Sequence, residues 1–78
     1  MLEELERAVL LVDLPQQGLT AGDIGTVVMV HANGQGYTVE FLTLGGTTIA
    51  VETLSAAQVR SVHPDEIAHV RQRIAASA

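Results

Sequence analysis

Apolar residues in this chain come in short blocks, most of them alternating with polar ones, and the blocks are separated by glycine, proline and Asn-Gly. That is the spacing of strands and turns. The longest block, Ile24 to Val30, follows a glycine-rich stretch in which Gly18, Gly22 and Gly25 supply permissive backbone around Asp23, a residue suited to an Asx-type turn. Ile24, Thr26, Val28 and Val30 fall on one face of this strand, and Gly25, Val27, Met29 and His31 on the other. Both faces carry apolar side chains, which predicts a closed or strongly curled sheet with something lying across its outside.

The other blocks fit round it. Arg7 to Val12 is a short apolar run; Leu2, Leu5, Val9 and Val12 also fit a helical period, but Asp13-Leu14-Pro15 forces extended geometry and favours a strand. Asn33-Gly34 between two extended runs predicts a hairpin into Tyr37–Leu42, where Tyr37, Val39 and Phe41 share one face. Both aromatics lie on it, so it is the interior. Thr43-Leu44-Gly45-Gly46 is a second turn, Thr47–Thr53 a fourth strand, Leu54–Ala57 a single helical turn and Gln58–Val62 a closing strand. An unbroken period of two places Ile24, Val28, Val30, Ile49, Val51 and Val62 inward, with Ala8, Leu10 and Val12, and leaves Glu52 outside.

From His63 the pattern changes. Pro64 at a first helical position, acids in the first turn, Arg71 and Arg73 near the end and a stripe of Ile67, Val70 and Ile74 predict a C-terminal helix. A helix this short needs a docking surface. The expectation is therefore mainly β: a small five-stranded SH3-like antiparallel barrel over residues 1–62, with a C-terminal α-helix and tail over residues 63–78.

Composition narrows the function. The chain has 78 residues, 47% of them apolar and 3% aromatic, so an aliphatic surplus sits on a small domain and invites cover from a second copy or a partner. Val9, Leu11, Val27 and Met29, on strand faces opposite the expected interior, are the candidate contact residues, together with Ile67, Val70 and Ile74 of the helix. They serve either to dock that helix or to bind a partner or homodimer mate. Net charge is −5 with no lysine, which opposes nucleic-acid binding. The absence of cysteine suits a reducing compartment, and the acidic start and short apolar runs predict neither leader nor membrane span, hence a cytoplasmic protein.

Catalytic and ligand readings are weak. His31, His63 and His69 lack helical i, i+4 spacing and an acidic ligand cluster, so they read as surface or capping residues and no metal is expected. Asp13, Asp23, Glu40 and Glu52 stand without nucleophile, base or oxyanion motif and read as turn and solvated strand carboxylates. The glycines do not lead from a strand into a helix, so phosphate cradling is not expected. Arg60, Arg71 and Arg73 form either a small basic edge or intramolecular ion pairs. No catalytic residue and no cofactor is expected.

The ordered combination Arg7-Ala8-Val9-Leu10, Asp13-Leu14-Pro15, Gly18-Leu19-Thr20-Ala21-Gly22-Asp23-Ile24-Gly25-Thr26-Val27-Val28, Tyr37-Thr38-Val39-Glu40-Phe41 and Val51-Glu52-Thr53-Leu54 resembles DUF4926, a family of short bacterial proteins of unknown function within the SH3-like set. The resemblance spans residues 5–62 and excludes the tail. It transfers no catalytic residue, and it implies a stand-alone product that binds a neighbouring protein, as an immunity or antitoxin partner would. The chain thus reads as a non-catalytic protein-interaction module. The alternative is an accessory or small-ligand-binding domain of a larger enzyme, and gene context discriminates the two.

Overall fold

The computed structural model of the chain describes residues 1–73. Its strands are β1 (Arg7–Leu10), β2 (Ile24–His31), β3 (Gly36–Leu42), β4 (Thr48–Ser55) and β5 (Val59–Ser61). All pairings are antiparallel, in the order β4-β3-β2-β1-β5. One 3-10 turn, Ala56–Gln58, carries the chain from the β4 edge to the β5 edge. Three residues cannot cross a flat five-stranded sheet, which is about 19 Å wide at ~4.8 Å per strand spacing. The sheet is therefore strongly curled. Among the described residues no pairing joins β4 to β5, so the sheet stays open and the expected closed barrel is not formed.

Local chemistry matches the turns. In the β2–β3 hairpin Ala32, Asn33 and Gly34 all take positive φ, a geometry that Asn-Gly tolerates. Gly46, also at positive φ, closes the β3–β4 turn by donating to the Thr43 carbonyl at 3.0 Å. Pro15–Gln17 forms a 3-10 turn that ends on left-handed Gly18.

The core lies inside the curl. Ala8, Leu10, Val27, Tyr37, Val39, Phe41, Leu54 and Val59 are buried there, joined by Leu2 and Leu19 from the loops. Leu2 is pinned by its backbone N–H, which donates to the Tyr37 hydroxyl at 3.1 Å.

Two bulges break the expected period. In β2, Val27 pairs with Val39 and Met29 with Thr38, so Val28 is an extra residue between them. Before the bulge Gly25 and Val27 face inward, and after it Val30 does; Ile24 and Val28, expected in the core, are exposed. In β4, Phe41 pairs with Ala50 and Leu42 with Thr48, so Ile49 is the bulged residue. The inward side of β4 is then Ala50, Glu52 and Leu54, opposite Phe41, Val39 and Tyr37. Val51 turns outward and is 54% exposed, while Glu52 lies half-buried on the core face, both the reverse of the expected register. Val62, beyond the end of β5, is also exposed.

Among the described residues the expected C-terminal helix is absent. His63–Glu66 makes one turn, closed by the Glu66 N–H donating to the His63 carbonyl at 3.1 Å, and residues up to Arg73 have no regular structure. Ile67 and Val70 are 94% and 73% exposed, so the described part of the stripe that would have held a helix is not docked on the sheet. Ile74 lies outside the described residues.

Candidate interaction surface

Cross-strand partners in an antiparallel pair share a face, so the register assigns the side chains on the outer surface of the sheet. One row runs Arg7, Thr26, Glu40, Val51, and a second runs Met29, Thr38, Thr53. A hydrogen-bonded ladder crosses the second row: His31 Nε2 and Thr38 Oγ1 are 2.7 Å apart, and the Thr38 and Thr53 hydroxyls 3.1 Å. Beside Glu40, the Thr48 hydroxyl donates to its carboxylate at 2.9 Å. Ile24, Val28, Met29, Leu42 and Val51 stand exposed on β2, β3 and β4. This exposed aliphatic set, with threonines interleaved, is the surface the fold leaves uncovered.

Only part of the expected contact set belongs to it. Val27 is fully buried in the core, because the bulge at Val28 follows it rather than precedes it. Val9 faces outward with Ile24 and Arg60 opposite it on the neighbouring strands, yet is only 8% exposed. Leu11 and Met29 are exposed, but at opposite ends of the sheet: Leu11 lies past the Val9–Ile24 pair and Met29 past the Arg7–Thr26 pair. Ile67 and Val70 are exposed on the tail. Sequence reading missed Ile24, Val28 and Val51, which an unbroken period assigns to the core. The doubled valine at Val27-Val28, which gives β2 consecutive apolar residues, is the signal that marks its bulge.

Ion pairs dispose of the tail. Arg60 binds Glu66 in a two-pronged contact, with Nη1 to Oε1 at 2.9 Å and Nη2 to Oε2 at 2.6 Å, and the His63 N–H donates to the same carboxylate at 2.7 Å. The Arg60 contact, helped by that N–H, pushes the Glu66 pKa down to about 2. Arg71 reaches back to Asp23 through Nε at 2.7 Å and Nη2 at 2.5 Å, and donates to the Gly18 carbonyl at 3.1 Å. The Arg71 hydrogen bond, with the Thr20 N–H, lowers the Asp23 pKa against a smaller opposing effect of burial. Arg60 and Arg71 are thus intramolecular partners and not a free basic edge. The tail is fastened on the β5 side of the sheet and at the loop before β2, away from β4.

The acidic candidates do not converge on chemistry. Asp13 Oδ1 accepts from the Ala21 N–H at 2.9 Å and Asp23 Oδ2 from the Thr20 N–H at 2.8 Å, so both fix the loop backbone. Among the described residues no group of three His, Asp or Glu side chains is placed to hold a metal, and no helix is long and apolar enough to cross a membrane.

Residues 4–61 match the family model described as Domain of unknown function (DUF4926), and the chain belongs to that family. The tail from Val62 onward lies outside the match. No curated protein and no solved structure matches the chain.

Proposed function

We propose that this member of the DUF4926 family is a non-catalytic protein-interaction module that works in the cytoplasm through the outer face of β2, β3 and β4. The observation that carries the reading is the exposed aliphatic set Ile24, Val28, Met29, Leu42 and Val51, which the described part of the chain's own tail leaves bare. Scattered single apolar residues need no explanation, but five on three adjacent strands of one small sheet do. A net charge of −5 suits a basic partner, as neutralisation of a cationic protein would require.

The test is co-expression with the products of the neighbouring genes, followed by purification and amide exchange. The reading expects a stoichiometric complex with new protection on β2–β4, abolished by Met29→Lys together with Val51→Lys. A folded double variant that binds as the parent does would overturn the outer face as the contact. No complex with any neighbouring product would overturn the module itself. A catalyst recovered as the partner would make the chain its accessory subunit.

A further inference from the structure

The two edges of the sheet are treated differently. β5 is only Val59–Ser61, and the tail leaving it turns back locally through the Arg60–Glu66 contact, so that edge is short. β4 runs from Thr48 to Ser55, pairs with β3 on one side, and packs otherwise chiefly on the 3-10 turn that follows it. Among the described residues no other strand pairs with its far side. It contains no proline and no lysine or arginine; the bulge at Ile49 and one inward-facing charge are what guard it against indiscriminate pairing. Its single charge is Glu52, on the core face opposite Val39. We infer that β4 is a docking edge for an extended segment of a partner protein that adds a strand to the sheet and sets a basic residue opposite Glu52. This rests on the protein-interaction reading and specifies the mode and chemistry of the partner.

Strand addition supplies backbone hydrogen bonds to any extended segment, so selection must come from side chains beside the edge. The outward residues of β4, Val51 and Thr53, accept β-branched neighbours without discrimination. Glu52 discriminates. A neutral residue opposite it leaves the half-buried carboxylate unpaired, an acidic one repels it, and a lysine or arginine pairs with it.

A second copy of this chain is the competing occupant, and charge argues against it. Two β4 strands paired about a two-fold axis must oppose residues of the same face, so the registers that keep most of the strand paired are centred on Val51 or on Glu52. Centring on Glu52 sets the two carboxylates directly opposite each other. Centring on Val51 leaves them one diagonal apart on the same face, within about 7–8 Å. Each copy also brings a net charge of −5.

The probe is a blocked, soluble eight-residue strand peptide of alternating threonine and valine with one central arginine, titrated into the nitrogen-15-labelled full chain. A twin peptide carries glutamate in place of the arginine. The expected result is saturable amide shifts on β4 from Thr48 to Thr53, with the arginine peptide binding about two- to fivefold more tightly than its twin. Glu52→Gln should erase that preference and Glu52→Arg should reverse it; the glutamine variant decides if the arginine variant does not fold. Four results would overturn the inference: no β4 shifts, β4 shifts without charge preference, a preference that survives Glu52→Gln, or concentration-dependent self-association through β4. Peptide shifts confined to Met29 and Val28 would also overturn it while leaving the protein-interaction reading intact. Failure of every neighbouring gene product to bind the full chain would instead strike that reading.

Discussion

Gly25 is expected to be one of the least replaceable residues in the chain, for packing rather than backbone reasons. Its φ lies outside the left-handed region, so alanine is conformationally allowed there. By itself the substitution would stabilise by roughly 0.4–1 kcal/mol, through lost freedom of the unfolded chain. The space forbids it. A Cβ built on Gly25 would lie 2.5 Å from Val39 Cγ1, 2.8 Å from the Glu40 carbonyl oxygen and 3.0 Å from Phe41 Cδ1. Val39 and Phe41 are fully buried, and the Glu40 carbonyl belongs to the backbone of β3, so little can yield. Overpacking of this kind costs about 1–3 kcal/mol, and the upper end applies where backbone must move. Gly25→Ala should therefore destabilise by about 2–2.5 kcal/mol net, or lower the midpoint of thermal unfolding by about 8–20 °C for a domain of this size. Urea unfolding followed by circular dichroism measures it, with Val39→Ala and the double variant completing a cycle. The double variant should be more stable than the sum of the single losses predicts, because trimming Val39 removes one of the three collisions. A Gly25→Ala protein as stable as the parent would refute the close approach of β2 to β3.

The bulge at Val28 makes neighbouring valines unequal: Val27→Ala should cost about 1–3 kcal/mol and Val28→Ala less than about 0.5 kcal/mol in the same urea assay, and equal losses would remove the bulge. Phe41→Ala, in the centre of the core, should cost about 3–5 kcal/mol and leave little folded protein at 37 °C, read by amide exchange. Glu66 has a folded pKa lowered from 4.5 to about 2 by Arg60, so its contribution to holding the tail is complete above about pH 4.5 and lost as pH falls toward 2. Carbon-detected titration of the Glu66 carboxyl checks this, and a midpoint near 4.5 would mean the Arg60 contact is not kept in solution. Arg71→Ala should raise the Asp23 pKa and free the amides around Val70, with little change in global stability because the Arg71 side chain stands exposed.

What the sequence made legible were the features fixed locally. The Asn33-Gly34 hairpin, the Gly45-Gly46 turn, the single turn before β5 and the inward set Tyr37, Val39 and Phe41 each follow from a few adjacent residues, and the structure has them all. The misses arose where phase is inherited along a strand. A period of two carries its parity until an extra residue enters, so one bulge at Val28 inverted the assignment of Ile24 and Val27, and another at Ile49 inverted Val51 and Glu52. The helix failed for a different reason. Pro64 and the placement of charges are genuine start and stop signals, but Ile67 and Val70 stay exposed instead of docking on the sheet, and whether a stripe is covered is information that only tertiary structure supplies.

The same two bulges account for the candidate surface. An unbroken β2 would have buried Ile24 and Val28 and left Val27 outside; an unbroken β4 would have buried Val51 and put Glu52 in solvent. Each bulge moved a valine to the outer face, and that in β4 drew a carboxylate to the rim of the core beside an unpaired edge. Bulges of this sort bend a strand and re-aim its side chains, which here curls the sheet far enough for one 3-10 turn to join its two edges. Curl, exposed valines and an edge carboxylate therefore share one cause. Deleting Val28 removes the extra residue without changing the phase on either side of it: Val27 stays opposite Val39 and Met29 opposite Thr38, and Ile24 keeps its outward place opposite Val9. A Val28-deleted protein that folds should therefore have a flatter sheet and an Ile24 as exposed as in the parent, read by Ile24 amide and methyl protection, and an Ile24 protected like the core residues would refute the register assigned to β2.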